Sequence, residues 1–247
     1  MSRRFFPLAA AAAALLLSAS CQVRQDVTLQ IGGAGSSRIL VELHPVFTRY
    51  YSDLASGFLP SFDPRNPVYF DAPGIGKNLS ANPDLEVLWI RTPAPHKLDM
   101  EIRFRDIGRA IRGGDPEIRD IMSLRREGKR ETLAVHLDRS NLSSILRVLS
   151  PDKASPLKAL LPPAGRPLSE TEYLEHLSWA LEDYAGPGEI ADVLRSSAVT
   201  LRVRVPGKIA ALDGGAPSGD SEALFVVPVL RLLTLETPVD LSLTYTP

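Results

Sequence analysis

The sequence predicts an α+β protein: a mostly antiparallel sheet drawn from the two ends of the mature chain, with a helical segment between them. Three observations carry this. Apolar and polar residues alternate, the period of a half-buried strand, at residues 27–43 and 98–104 and again at 199–205 and 239–245. Helical spacing and helix-boundary residues gather at about 140–196. No Gly/Ser-rich linker divides residues 27–247, which therefore read as a single extracytoplasmic domain with a helical insertion.

Residues 1–20 read as a secretory signal. Arg3 and Arg4 precede an apolar run from Phe5 to Leu17, and the small residues Ser18, Ala19 and Ser20 lead into Cys21. The run falls short of the ~20 apolar residues that span a bilayer. Two processing routes fit a cut after Ser20. Ordinary signal peptidase, suited by Ser18 and Ser20, would leave a soluble protein with a free thiol. The other route alkylates Cys21 with diacylglycerol and, after cleavage, leaves a lipidated amino terminus carrying acyl chains of the palmitate kind. This stretch resembles the lipobox of bacterial lipoproteins, although Leu17 stands four residues before Cys21 rather than three and Ser20 replaces Gly or Ala. Placement favours lipidation: the chain has one cysteine, it has no disulfide partner, and it falls directly behind the cut site. Cys21 is the predicted lipidation site, and residues 21–26 a membrane-proximal tether reaching less than about 20 Å. Gln22, where an aspartate would retain some lipoproteins in the inner membrane, points to the outer membrane or cell surface.

Loss of Arg3 and Arg4 with the leader reduces 28 basic residues to 26 against 29 acidic ones, a net charge of −3. The arginines are spread along alternating strands rather than gathered in a stripe, so nucleic acid is not an expected partner.

Val27, Leu29 and Ile31, then Ile39, Val41 and Leu43, predict a hairpin joined by the loop from Gly32 to Ser37. That loop lacks the third glycine and the following helix of a dinucleotide fingerprint. Val46, Phe47, Tyr50, Tyr51 and Leu54 predict a helix from Pro45 to Gly57. The Pro-rich stretch from Leu59 to Pro83 reads as a long connection with a short helix at Ile75 to Leu79, and as the first place to seek a binding surface. Strands follow at Leu85 to Arg91 and at Leu98, Met100, Ile102 and Phe104, whose alternation gives a sheet one wet, charged face. Asp115, Pro116 and Glu117 predict a helix start with Ile118, Ile121 and Met122 as its buried stripe.

Leu133, Val135 and Leu137 predict another strand, and Leu142, Ile145, Leu146 and Leu149 a short helix. Ser150 to Pro167, with five prolines, reads as a connector. Ser169 and Glu172 form a capping box for a helix through Tyr173, Leu177 and Leu181, with Gly186 and Pro187 as its stop. A shorter helix at Ile190 to Leu194 leads to a strand through Val199, Leu201, Val203 and Val205. Pro206 and Gly207 turn the chain into Lys208 to Leu212 as the returning arm. Beyond the Asp213 to Asp220 loop come a strand at Ala223 to Val227, a helical turn at Val229 to Leu233 and a last strand through Val239, Leu241, Leu243 and Tyr245.

The signal, Cys21, the Val27-to-Ile31 strand, its glycine turn, and the later strand running into Phe104, Arg105, Asp106 and Ile107 resemble the LppM-like class of bacterial lipoprotein domains. The run Val205 to Ile209, followed by Gly214, Gly215, Ser218 and Gly219 and then Pro228, Leu230, Leu232 and Leu233, is similar to the tail of that class. The resemblance implies an envelope protein with a β-rich body that handles lipid or glycolipid, and it supplies no catalytic residue.

No motif assigns a catalytic residue, a metal site or a cofactor. His44 and His136 read as surface or edge residues at strand ends. Glu172 and His176, four apart on a helix, lack the third ligand a metal needs and read as a surface pair. Ser218 stands one place too late for a nucleophile elbow, and Asp213, Asp220 and Glu222 lack the alternation of a calcium loop. The expected function is that of a non-catalytic, lipid-anchored envelope protein that binds a hydrophobic or lipid ligand, or a protein partner, near the membrane. The alternative is an extracytoplasmic hydrolase drawing on the Leu59-to-Pro83 segment.

Overall fold

Strands β1 (Gln22–Leu29) and β2 (Gly35–Glu42) form a hairpin, followed by helices α1 (Pro45–Phe58) and α2 (Ala72–Ser80). Strands β3 (Leu85–Ala94) and β4 (Lys97–Phe104), helix α3 (Ile107–Gly113), and the hairpin β5 (Met122–Glu127) and β6 (Arg130–Leu137) come next. Helices α4 (Glu170–Ala180) and α5 (Pro187–Ser196) precede β7 (Ala198–Arg204), β8 (Lys208–Asp213) and the two-residue β9 (Ala216–Pro217). Strand β10 (Glu222–Pro228), helix α6 (Val229–Thr234) and strand β11 (Val239–Thr246) complete the order. The structure, a computed structural model, describes residues 22–58, 62–113, 121–141 and 168–247.

The fold is α+β, with two mostly antiparallel sheets. The first has the order β3-β4-β2-β1-β7-β10-β9, the second β5-β6-β11-β8. The chain ends do meet in the first sheet, but through a parallel pair, β1 with β7, and the last strand belongs to the second sheet. Lys208 to Leu212 is not a returning arm on β7. That strand has β1 on one side and β10 on the other, so no edge is free, and the turn at Pro206 and Gly207 carries β8 across to pair with β11.

Further corrections concern element boundaries. The first strand starts at Gln22 rather than Val27, so residues 22–26 are sheet and not tether, while Ile31 lies in the turn, 77% exposed. Gly32 and Gly33 both have φ of 87°, a conformation the hairpin turn requires and side chains resist. Met122 opens a strand instead of closing a helical stripe. Gly186 with Pro187 begins α5 rather than merely ending α4: Gly186 is its N-cap and Pro187 fills the first turn, where the missing N–H costs nothing. The predicted helix start at Asp115, the helix at Leu142 to Leu149 and the connector to Pro167 lie outside the described residues, as do the signal and Cys21. The capping box is formed as expected, Ser169 Oγ accepting from the Glu172 amide at 3.2 Å and Glu172 Oε2 accepting from the Ser169 amide at 2.8 Å.

Two apolar clusters hold the fold. Val27, Leu29, Phe104, Val203 and Phe225 of the first sheet, with Ile107 of α3, pack on Leu133, Leu137, Val239, Leu243 and Tyr245 of the second. Each such side chain contributes about 1.5–3 kcal/mol when fully buried. Tyr245, wholly buried, donates its hydroxyl to Glu131 Oε2 at 2.5 Å, so its polar atom is satisfied. The other cluster joins the helices: Val46 and Tyr50 of α1, Tyr173 and Leu177 of α4, Ile190 and Leu194 of α5, and Leu230 of α6.

Register fixes where these helices sit. Gln22 lies opposite both Glu42 and Ala198, and Ala198 opposite Pro228. Strand β2 runs into α1 from that end, α5 feeds β7 there, and β10 passes into α6 there. The helical layer therefore caps the end of the first sheet at which β1 begins.

Candidate functional site: a half-open apolar face

Because side chains alternate across a strand, the register assigns each residue of the first sheet to a face. Val27, Leu29, Phe104 and Leu85 lie on the face that meets the second sheet. Continuing toward the helical end, the same face carries Val23 of β1, Ile39 and Val41 of β2, Leu98, Met100 and Ile102 of β4, and Val87 and Ile90 of β3. None of these belongs to either apolar cluster among the described residues, and all but Leu98 are only half-buried. A bulge between Val87 and Trp89 keeps Ile90 opposite Met100 and on this face.

Helix α2 packs over the β3 edge of this face, with Gly76 against the Ile90 side chain. The helix buries none of its own residues. Asp71 caps it, accepting from the Gly74 amide at 3.1 Å. Four strands at ~4.8 Å spacing and two steps of ~6.8 Å along β4 make the face roughly 14 Å square. About 200 Å² is far below the ~800 Å² per partner of a stable protein interface. It suits a small apolar ligand better than a protein. One polar pair lies at its inner border, where Gln25 Nε2 donates to the buried Ser37 Oγ at 3.0 Å, the kind of sparse polar group that orients a ligand in an apolar site.

The opposite face of these strands is charged, as alternation predicted, but one acid is buried in it. Asp99 has a side chain only 6% exposed, held by bidentate bonds from Arg38 (Nε 3.2 Å, Nη2 3.1 Å) and by Arg91. Both guanidinium groups also lie near the Trp89 ring, at 5.6 and 4.6 Å from its centre. Burial works to raise the Asp99 pKa. The hydrogen bonds from Arg38 and Arg91 outweigh it and hold the carboxyl below its ordinary value. This network clamps β2, β3 and β4 from behind.

The histidines divide. His44 is buried, not a surface residue: it lies where β2 turns into α1, its Nδ1 accepts from the Val46 amide at 3.3 Å, and burial lowers its pKa. His136 is exposed as expected and bridges strands, with Nδ1 2.6 Å from Asp240 and Nε2 3.3 Å from Asp138. Ser140 Oγ donates to Asp138 and not to the imidazole, so the group has the wrong order for an activated nucleophile. His176 stacks near Trp179, and Glu172 is engaged in the capping box. Glu222 is drawn to Arg204 at 2.8 Å, and that bond, with a further one from Ser218 of the Asp213-to-Asp220 loop, holds its carboxyl below the ordinary value.

The long segment after α1 brings together aromatic rings rather than acids: Tyr51 meets Phe62 and Tyr69 edge-on, and the Tyr69 and Ser52 hydroxyls are 2.9 Å apart. Asp63 and Asp71 serve local turns and a cap. An open groove of about 450 Å³ runs along β8, lined by Lys208, Ile209, Leu212, Pro217 and Asp220. Its two charges are of opposite sign, and no set of polar groups converges in it.

No protein-family model matches the chain, and no curated protein matches it significantly. Among solved structures, the NMR structure of the folded domain of LppM from Mycobacterium tuberculosis is similar to it with a TM-score of 0.42 at 11% identity, covering 92% of this chain and 89% of that one. That is a weak likeness of overall arrangement.

Proposed function

We propose that the protein is a non-catalytic bacterial envelope lipoprotein, anchored through acylated Cys21 on the extracytoplasmic side, that binds an apolar or amphipathic lipid-like ligand. The binding surface is the half-open face of Val23, Ile39, Val41, Met100, Ile102 and Ile90. The observation that carries the reading is that this face is apolar, continuous across four strands and left out of both packed clusters. The outer membrane or cell surface is the proposed location, on the strength of Gln22 behind the cysteine.

Binding of a fluorescent fatty acid, followed by titration, tests the ligand site. Ile39→Glu and Met100→Glu, checked for folding by circular dichroism, are expected to abolish the signal, because a buried carboxylate on the face opposes an acyl chain. Val226→Glu, on the other face of the sheet and already 55% exposed, should bind as the native protein does. Failure of the native protein to bind, or equal binding by the folded Ile39→Glu variant, would sink the proposal. Mass spectrometry of the mature amino terminus tests the anchor.

A further inference from the structure

We infer that the helical end of the molecule is the surface set against the lipid bilayer, with the strands of the first sheet standing away from it. The inference rests on the anchored reading above and adds an orientation to it.

The first ground is the absence of slack. Gln22, which follows Cys21 directly in the sequence, is already paired in the sheet. The second is that β1 is an interior strand. Gln22 is held against Glu42 on one side and Ala198 on the other, and two full ladders set the direction in which the chain leaves the body. An anchored cysteine therefore brings the Gln22 end of the sheet to the headgroups.

What surrounds that end is the helical layer. The Ser197 amide bonds to Leu194 O and the Val229 amide to Ser197 O, which ties α5 and α6 beside the start of β7. Leu43 N bonds to His96 O, fixing the exit toward α1. Pro45, Arg195, Ser196 and Pro228 are exposed around this end. The same layer carries Trp179 of α4, 70% exposed, and tryptophan is a residue type enriched at membrane–water interfaces. The β1–β2 turn with Ile31 lies at the far end of β1, about 27 Å away for eight residues at ~3.4 Å each.

The test uses the full chain, exported and processed from its own leader and reconstituted in phosphatidylethanolamine–phosphatidylglycerol vesicles. An acylated Cys21 has its sulfur blocked, so Arg195→Cys and Ile31→Cys each add the sole free thiol for a fluorophore. Headgroup-labelled nitroxide lipids should quench the fluorophore at position 195 several-fold more than at position 31. Equal quenching at the two positions, or stronger quenching at 31, in protein that floats with vesicles and carries acyl mass on Cys21, overturns the orientation alone. Protein without acyl mass overturns the anchored reading and the orientation with it.

Discussion

Arg91 places both Nε and Nη2 on a single oxygen of Asp99, at 3.1 and 2.6 Å, while Arg38 takes the carboxylate from the other side. The acid is buried and the arginines are about half exposed, so water can resolvate the cations if the acid is lost. Asp99→Asn should cost about 1.5–3 kcal/mol, the range for hydrogen bonds to charged groups, read as the shift of a urea midpoint. Glu86→Gln, which breaks the exposed pair with Arg103, should move the midpoint by no more than about 0.5 kcal/mol. An Asp99→Asn midpoint equal to that of Glu86→Gln would refute the clamp.

The two histidines with shifted pKa values pull stability in opposite directions with pH. Hydrogen bonding to Asp240, aided by Asp138, raises the pKa of His136, so its contribution is whole below the unfolded value of about 6.5 and is lost as pH rises through the higher folded value. Burial lowers that of His44, whose neutral form is the folded one, so its contribution is lost as pH falls below about 6.5. Melting temperature scanned from pH 5 to 8.5 should flatten on the alkaline side in His136→Gln and on the acid side in His44→Asn. Unchanged alkaline slope in His136→Gln would discard the first assignment.

Ser169→Ala removes the acceptor for the Glu172 amide and leaves one side of the capping box open. A loss of about 1 kcal/mol is expected, with Ser169→Gly losing less than that. Thermal denaturation resolves the difference, and a neutral Ser169→Ala would mean α4 draws its stability from Tyr173, Leu177 and Leu181 alone.

Gly35 sits where β1 and β4 close on β2. A Cβ there would collide with the Thr28 carbonyl and come within 2.7 Å of the Phe104 ring. Gly35→Ala should destabilise by ~1–3 kcal/mol or more through overpacking. Gly57→Ala, in α1 with open space around it, should stabilise by about 0.4–1 kcal/mol. Equal effects of the two would show that the close approach at Gly35 is relieved elsewhere.

Alternation made most strands legible, because Val27, Leu29, Leu133, Val135, Leu241 and Leu243 have polar neighbours at the right period. It failed where polar residues take inward places: Gln25 faces the interior beside Ser37, so Gln22 to Asp26 looked like tether. Strand β5 shows little apolar signal beyond Met122 and Leu124 before its charged hairpin. Asp99 fits the wet face by parity, and only the convergence of Arg38 and Arg91 from other strands buries it. The partner of β8 could not be read locally, since it depended on β1 and β10 having already flanked β7. The apolar face was legible residue by residue, but that nothing in the two clusters covers it is a property of three-dimensional packing.

The parallel pairing of β1 with β7 also sets an order of events in biogenesis. Strand β1 has β2 close by in sequence, whereas Ala198 to Arg204 lie far along the chain, and such a non-local pairing is slow to form. Until β7 docks, β1 is flanked by β2 alone. Once it docks, Gln22 to Thr28 are locked between two neighbours. Completion of the first sheet thus waits on Ala198 to Arg204, and a chain arrested before them would present β1 with one edge open.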